Sequence, residues 1–463
     1  MNPLTKKDLN FLYILTSILF AYVINFAITN STVLTEEFPP KLPTTVFVSL
    51  YFIPKLLFII FSVEPIKTRK RCYTLIMLEI LYLAIPLSYR LKYNPEIMNN
   101  IIVFTGIYGY KMSLFIKHNR KYLPDTKINQ QKEFTPYVLT LNSWRHDSDI
   151  ESKAEIEEPT IKQVDEKIKS RVLMFIWKWM INETVLYLIA NFPQKVPDRP
   201  YQIRMIEYFT KGIPLFTAAS MFHYICFFIF IFFYLTLHYD AIVLLSLLSL
   251  RCMTTSQTTI TEKRFLVKTG LLTPTQFSLL KNYFITYSFN TKHCFNNPWI
   301  STSPRELWSS RWHTMFDEPF KELGYFPLKN LSISLGFTSR KFHNAMGILG
   351  AFFISSLLHE YYIIGLFNQI TGEHLFFFMA HGAIMIIWEL VFAYEKKDKM
   401  KESEKEGYNF RKYAGAFLKW LLLLAIYMPI LPAFTEPMLR RADIWIFPSL
   451  FTDVKNTMYK NMA

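Results

Sequence analysis

Long uninterrupted apolar segments constrain this chain more than any other feature of its sequence. Of its 463 residues, 51% are hydrophobic and 17% aromatic, whereas only 19% are charged. A run of about 20 apolar residues is long enough to cross the hydrocarbon core of a bilayer as a helix. A lone spanning segment must also satisfy its own backbone hydrogen bonds, which requires an α-helix. We therefore expect an all-α polytopic membrane protein with roughly eight to eleven membrane helices.

Hydropathy places the predicted spans along the chain. They are Phe11–Ile28, Thr45–Val63, Tyr73–Leu87, Asn100–Ile116, Ile213–His238 with Ala241–Cys252 close behind it, Ala345–Phe367, Leu375–Ala393 and Phe417–Phe434. Pro54 and Lys55 interrupt the second span, so that part is expected to face protein or water. Arg171–Phe192 begins with Trp and Lys side chains that suit an interfacial helix. The number of spans between Phe265 and Tyr287 stays open.

The charge pattern predicts an orientation and three regions. The net charge is +15, and in a membrane protein such an excess is typical of basic cytoplasmic loops. The N-terminus, Lys67–Arg71 and Lys117–Lys132 are basic, whereas Thr29–Thr44 is acidic, which predicts a cytoplasmic N-terminus. We expect N-terminal transmembrane helices in residues 1–116, a polar cytoplasmic insertion in 117–170 and a transmembrane core in 171–463. The four cysteines are scattered and favour neither a disulfide framework nor a zinc site.

One ionisable pair, His359 and Glu360, lies in the middle of the apolar run Ala351–Ile364. An ionisable side chain at membrane depth is costly, which indicates a functional role. A neutral imidazole can accept the proton of a hydroxyl group near neutral pH. On a helix, Ser355 and Ser356 share the face of His359, whereas Glu360 points about 100° away. The alternative is a structural histidine that bonds a neighbouring helix.

A second candidate, His313, lies in the aromatic and basic stretch Trp308–Asp317. If this stretch is helical, Asp317 at i+4 can hold the His313 ring in one tautomer. The alternative is an interfacial helix with an aromatic and basic anchor. His374 and His381 are seven residues apart and share a helical face, but two histidines are too few for a metal cage. We expect no metal.

Two motifs together carry a family resemblance. The first reads Asn297-Pro298-Trp299-Ile300-Ser301-Thr302-Ser303-Pro304-Arg305-Glu306-Leu307-Trp308-Ser309-Ser310-Arg311-Trp312-His313, and the second, Phe352-Phe353-Ile354-Ser355-Ser356-Leu357-Leu358-His359-Glu360, places its histidine 46 residues after His313. Together they resemble the membrane-bound O-acyltransferase (MBOAT) family, and within it the wax-synthase-like branch. Ser309 and Ser356 stand where that branch commonly has glycine.

The resemblance implies a helical bundle around an intramembrane reaction chamber. It also implies transfer of a fatty acyl group from acyl-CoA to a lipophilic alcohol, foremost a long-chain fatty alcohol that becomes a wax ester, in the endoplasmic reticulum membrane. His359 is the implied base, and His313 orients the thioester or stabilises the oxyanion. The expected chamber residues are Trp308, Trp312, Ser355, Ser356 and Glu360. Arg305, Arg311 and Lys341 are expected at the acyl-CoA phosphates, with ordinary interface anchoring as their alternative.

The remaining expectations follow from the same resemblance. The partners are acyl-CoA as co-substrate, the alcohol and the bilayer, with no separate cofactor and no nucleic acid; both homodimers and monomers fit the family. Sterol and diacylglycerol acyltransferases share the chemistry, but their FYxDWWN-type block is absent here. Two other classes stay open. One is a transporter lined by Lys55, Glu79, Lys111 and His359, and the other is a membrane scaffold with structural histidines.

Overall fold

The computed structural model describes residues 41–62, 66, 68–119, 158–255, 269, 273–290, 293–392, 410–441, 444, 449–451, 453–454 and 456–458. Within these ranges all regular structure is helical. Seven helical segments there are long and apolar enough to cross a membrane: Thr44–Ser62, Arg69–Ser88, Ile161–Asn191, Ala218–Thr254, Arg340–Phe367, Glu373–Phe392 and Tyr413–Leu439. The expected all-α polytopic fold is confirmed. The predicted span Phe11–Ile28 lies outside the described residues.

Among the described residues, the first of two compact units contains three helices and residues 360–370. The helices are α1 (Thr44–Ser62), α2 (Arg69–Ser88) and α3 (Pro95–Asn119), each packed on the next. Pro54 and Lys55 are buried, and the Lys55 ammonium lies 3.3 Å from the centroid of the Tyr108 ring. A cation over an aromatic face is stabilised where water is excluded. The prediction that this part of α1 faces protein is confirmed.

The second unit contains the remaining helices and the candidate site. They are α4 (Ile161–Asn191), α5 (Tyr201–Lys211), α6 (Ala218–Thr255), α7 (Pro274–Phe289), α8 (Phe326–Ser334), α9 (Arg340–Tyr362, in this unit as far as His359), α10 (Glu373–Phe392), α11 (Phe410–Tyr427) and α12 (Leu431–Leu439). Capping boxes begin two of them, since Thr160 pairs with Gln163 before α4 and Thr273 pairs with Gln276 before α7. A short π-helix, Ile363–Phe367, continues α9.

One difference from the sequence prediction concerns α6. Hydropathy divides it into Ile213–His238 and Ala241–Cys252, but the structure has one continuous helix of 38 residues. Asp240 lies in the expected break, is 1% exposed, and accepts hydrogen bonds from Arg171, at 3.0 Å, and from Lys178. Both cations come from α4, which packs along α6. Because the partner helix neutralises the charge, the helix continues through the polar residue.

The same contact corrects the prediction for Arg171–Phe192. We expected an interfacial helix because Trp177, Lys178 and Trp179 begin the apolar stretch. In the structure these residues lie inside the 31-residue helix α4, which is long and apolar enough to span a membrane. The Lys178 ammonium binds Asp240 within the protein instead of lying at the membrane surface.

Helix α7 lies in the part of the chain where the number of spans was left open, and it has 16 residues. The division of the chain into three regions stays a prediction.

Candidate active site

His359 lies in an aromatic setting formed by three helices. Its ring stacks on Phe378 of α10 with the centroids 4.5 Å apart, and it meets Phe434 of α12 at 5.6 Å. A second histidine, His374, is 5.6 Å away at the start of α10. The His359 side chain is partly buried, as is the neighbouring Glu360. An imidazole that lines an apolar, water-poor space keeps its neutral, proton-accepting form because burial disfavours the cation.

The two serines predicted beside His359 are both buried in α9. Ser356 is 0% exposed and Ser355 is 7% exposed. The Ser356 hydroxyl donates to the carbonyl oxygen of Phe353 at 2.7 Å, one helical turn back. This proton is therefore committed to its own helix, and Ser356 packs the helix that carries His359.

The segment before His313 is held in place by one carboxylate. Glu306 accepts the backbone N–H of Thr302 at 2.8 Å and binds the guanidinium of Arg311 at 2.6 and 2.8 Å. Burial alone would raise the pKa of Glu306, but these hydrogen bonds and the Arg311 charge lower it below its ordinary value. Short irregular helices follow, including π-helical turns at Leu307–Arg311 and Lys321–Tyr325. Such turns are frequent at functional sites.

Trp308 and Trp312 join this segment to the aromatic setting of His359. The Trp308 ring lies 6.0 Å from Phe378, the same ring on which His359 stacks, and 5.3 Å from His381. Trp312 lies parallel to His313, with ring centroids 5.2 Å apart and 2° between the planes. The two motifs that are 46 residues apart in the sequence therefore line one aromatic region.

His313 has an unusual backbone and a desolvated ring. Its φ and ψ angles of 50° and 47° lie in the left-handed region. Phe295 meets the ring edge-on at 4.7 Å, and Phe316 stacks at 5.8 Å. Burial lowers the pKa of His313 to about 3, so the imidazole is neutral at physiological pH. Its Nε2 atom is buried and lacks a hydrogen bond within the described residues, and its charge state would act electrostatically on His359.

The tautomer partner expected for His313 is engaged elsewhere. A helical hydrogen bond between His313 and Asp317 requires both on one helix, but that α-helix begins only at Asp317. The Asp317 carboxylate instead accepts from Lys321 at 2.5 Å. The left-handed turn at His313 breaks the helical register on which the expectation depended.

The three basic residues predicted at the acyl-CoA phosphates are not gathered around His359. Arg311 binds Glu306, and Arg305 binds Glu389 of α10. Lys341 is exposed at the start of α9, 18 residues before His359, which corresponds to roughly 27 Å along the helix axis. Phosphate binding by these residues stays a prediction, and for the two arginines it requires exchange or sharing of a carboxylate partner.

Three functional candidates near His359 were missed or dismissed by sequence reasoning. The carbonyl oxygen of Phe434 can only accept, so His374 carries its proton on Nε2 and donates it to that oxygen at 2.8 Å. His381 bonds the Phe377 carbonyl oxygen through Nδ1 at 2.7 Å. Tyr427 packs on His381 with ring centroids 4.3 Å apart. A signal existed for Tyr427, since it is the sole polar side chain between Trp420 and Thr435.

A buried network of charges fixes the start of α10 beside His374. Glu373 is 0% exposed and binds Arg440 through both carboxylate oxygens, at 2.5 and 2.8 Å. Glu436, also 0% exposed, binds Arg204 at 2.5 Å and Arg440 at 3.0 Å. Burial would lower the pKa of Arg440, but hydrogen bonds to Glu373 and both carboxylate charges raise it. The two negative charges of the carboxylates are thus neutralised by the two positive charges of the guanidinium groups.

Comparisons with known proteins agree with this part of the structure. The profile of the Membrane bound O-acyl transferase family matches residues 291–379, which include both motif histidines. The MBOAT resemblance predicted from the sequence is therefore confirmed for this segment, which contains His313, Trp308 and His359.

Curated relatives match about a fifth of the chain. The chain is 32% identical over 93 residues to "Probable long-chain-alcohol O-fatty-acyltransferase 2" of Arabidopsis thaliana, covering 19% of this chain and 26% of that protein. It is 26% identical over 104 residues to "Probable long-chain-alcohol O-fatty-acyltransferase 3" of the same plant, covering 22% and 30%. The matches thus span less than a third of the curated relatives' own length.

Proposed function

We propose that this protein is an O-acyltransferase that moves a fatty acyl group from acyl-CoA to the hydroxyl group of a long-chain alcohol. The observation that carries the proposal is the meeting of His359 and the His313 segment in one aromatic region through the shared ring Phe378. The family match over residues 291–379 and the printed names of the plant relatives support the reaction class and the alcohol.

The proposed reaction is a direct transfer within a ternary complex. His359 accepts the proton of the alcohol hydroxyl while its oxygen bonds to the thioester carbon. The electron pair of the thioester carbonyl bond moves to the carbonyl oxygen. His313, as a neutral hydrogen-bond donor, orients the thioester or stabilises this oxygen. When the carbonyl re-forms, the carbon–sulfur bond breaks, and the departing thiolate takes the proton back from His359. Ester and free CoA are the products, and no acyl-enzyme is formed.

The surroundings of His359 suit this chemistry. Water competes with an alcohol for a thioester, so an acyl transfer to a lipophilic alcohol needs a water-poor site. Phe378 and Phe434 give His359 an apolar environment, and Phe295 and Phe316 do the same for His313. Seven segments are long and apolar enough to cross a membrane, where a lipophilic alcohol dissolves. We place the enzyme in the endoplasmic reticulum membrane with its N-terminus in the cytoplasm, as the basic loops favour.

The test is ester synthesis in microsomes from a host that lacks neutral-lipid synthesis. Labelled palmitoyl-CoA is supplied with hexadecanol, cholesterol or diacylglycerol in parallel. Wax ester from hexadecanol is the expected product. Loss of His359 should lower its rate by at least about 10²-fold, the contribution of a general base. Sterol ester or triacylglycerol instead would retain the chemistry and replace the acceptor.

The matched control is His238→Ala. His238 is an exposed histidine on α6, and its ring is bonded to the Tyr234 carbonyl oxygen at 2.8 Å. This variant should keep the wild-type rate. Full ester formation by folded His359→Ala protein would refute the catalytic role. Folded wild-type protein that makes no ester with any acceptor would refute the acyltransferase proposal and favour the transporter interpretation of its buried charges.

A further inference from the structure

Two neighbouring buried hydrogen-bond donors have no well-aligned acceptor in the described part of the chain. They are the indole Nε1–H of Trp308 and the hydroxyl of Tyr427, and neither has a hydrogen bond of acceptable geometry within the described part of the chain. An indole N–H can only donate, so no rotation or change of tautomer can satisfy it otherwise. Leaving such a group buried and unpaired costs free energy, and each exception in a folded protein requires an explanation.

The two donors face the same place. The Trp308 indole nitrogen lies next to the Tyr427 hydroxyl, and the ring of His381 packs on both residues, at 5.3 and 4.3 Å between centroids. Tyr427 ends α11, and the 3₁₀ turn Met428–Ile430 follows it. The Phe378 ring lies 6.0 Å from the Trp308 ring and 4.5 Å from the His359 ring, centroid to centroid. Trp308 therefore packs on the same aromatic ring as the candidate base.

The chemistry of acyl transfer sets the separation that a base and an oxyanion donor require. From the base, a hydrogen bond leads to the attacking oxygen, then a forming bond to the carbonyl carbon, the carbon–oxygen bond, and a second hydrogen bond to a donor. That path measures roughly 8 Å when extended. The ring centroids of His359 and Trp308 lie 4.5 and 6.0 Å from the centroid of Phe378, so a path of this length fits between the base and the indole donor.

We propose that Trp308 Nε1–H and Tyr427 O–H form an oxyanion hole for the thioester carbonyl oxygen. This inference rests on the proposed acyltransferase function and deepens it. When the alcohol oxygen bonds to the thioester carbon, the carbonyl electron pair moves to the oxygen, and both donors meet it there. The pair returns when the carbon–sulfur bond breaks, and the proton held by His359 passes to the thiolate. Trp308 and Tyr427 transfer no proton in this scheme.

These donors add to His313 instead of replacing it. A neutral imidazole has one N–H, and the His313 ring is clamped parallel to Trp312 at 5.2 Å. Two or three donors stabilise an oxyanion more than one donor does. Trp308 and Tyr427, which supply the second and third, come from elements far apart in the sequence. The arrangement also explains why the one polar residue of an otherwise apolar stretch of α11 and its continuation is a tyrosine.

The first test is Tyr427→Phe, which removes one oxygen atom and retains the ring on His381. We expect kcat to fall by about 10- to 100-fold and KM for acyl-CoA to rise by a smaller factor, because the donor binds the oxyanion of the transition state more strongly than the neutral carbonyl oxygen. The matched control is Tyr413→Phe, since Tyr413 lies on the same helix and is 61% exposed. This control should keep the wild-type kcat. Thermal unfolding of each variant identifies any loss of fold.

The second test isolates the carbonyl oxygen by binding. One probe is S-hexadecyl-CoA, a thioether without a carbonyl, and the other is the ketone analogue in which a methylene replaces the thioester sulfur. Tyr427→Phe and Trp308→Phe should weaken binding of the ketone and leave binding of the thioether unchanged. Equal weakening of both probes would assign the residues a structural role and overturn the proposal, as would an unchanged kcat.

The two proposals fail in different ways. If wild-type protein makes ester and binds both probes, but Tyr427→Phe behaves like wild type in every measurement, only the oxyanion hole is refuted. If folded wild-type protein makes no ester and binds neither probe, the acyltransferase function fails and the donor assignment falls with it.

Discussion

Replacing Arg440 by methionine should destabilise the second unit more than any surface substitution. Arg440 is 8% exposed at its side chain and supplies both hydrogen bonds that reach Glu373 from a cation. Its removal leaves Glu373, 0% exposed, with a single hydrogen bond from the described residues, donated by the backbone N–H of Tyr201 at 2.6 Å. Glu436 suffers less because Arg204 and the Tyr224 hydroxyl still bind it.

The partners that remain for Glu373 and Glu436 determine the expected loss in the free energy of unfolding. Breaking a buried ion pair by removing one partner costs about 3–5 kcal/mol, because the remaining charge stays desolvated. Since Glu436 keeps two partners and Glu373 keeps one, we expect about 3 kcal/mol for Arg440→Met. At about 2 °C per kcal/mol for a large protein, the unfolding midpoint should fall by about 6 °C.

A thiol-reactive fluorophore measures this midpoint in detergent, because Cys72, Cys226 and Cys294 are buried thiols that react only on unfolding. All variants carry Cys252→Ser, since Cys252 is exposed and would react in the folded protein. The control is Arg199→Ala, a cation that is 69% exposed and pairs with Glu207 at the surface. Its effect should stay below about 1 kcal/mol. A second change, Glu373→Gln, should recover part of the loss in the Arg440→Met background. An Arg440→Met midpoint equal to wild type would refute the reasoning that the network is structurally required.

Three further predictions concern packing, charge and pH. Gly324→Ala should lower the unfolding midpoint, because a Cβ there would lie 2.9 Å from the Ala351 Cα atom, whereas Gly415→Ala, with open space around it, should not. Asp240→Ala should cost about 3 kcal/mol because two cations lose their buried partner. His313 should destabilise the protein as the pH falls from about 6.5 towards 3, since the unfolded state takes up a proton that the folded state rejects.

All three predictions are tested by the midpoint of thermal unfolding. Unfolding midpoints of the glycine and Asp240 variants are compared with wild type at neutral pH, and a stable Gly324→Ala protein would contradict the close packing. For His313, the midpoint is followed from pH 7 to pH 4 in wild type and in His313→Asn. The variant lacks the titrating imidazole and should lose stability less steeply on the acid side. Parallel curves would contradict the assigned pKa.

Sequence reasoning succeeded where one physical property dominates. The helix that carries His359 was predicted at Ala345–Phe367 and extends from Arg340 through Phe367, since hydropathy alone decides where a chain can cross lipid. The break expected at Asp240 was wrong because two cations from another helix neutralise it. Such a contact joins residues 69 and 62 positions apart and leaves no local pattern.

In the candidate site, too, residues with a local sequence signal were predicted and contacts between distant residues were not. His359 and His313 were identified from the sequence because each is an ionisable residue in an apolar or aromatic stretch. The structure brings their segments together through Phe378. Arg305 was expected to be available, but Glu389, 84 positions away, binds it. Trp308 and Tyr427 likewise meet because both pack on His381 of α10, a contact that no spacing within either motif encodes.

The left-handed backbone at His313 restricts which amino acids can replace it. Outside glycine, a φ near +50° is tolerated best by asparagine, aspartate and histidine, whose short polar or planar side chains fit that region. An alanine scan at this position therefore measures two losses at once, one from the imidazole and one from the refolded turn. Asparagine separates them, because it preserves the turn and changes the chemistry. Any library built to alter the reaction at residue 313 is best drawn from this small set.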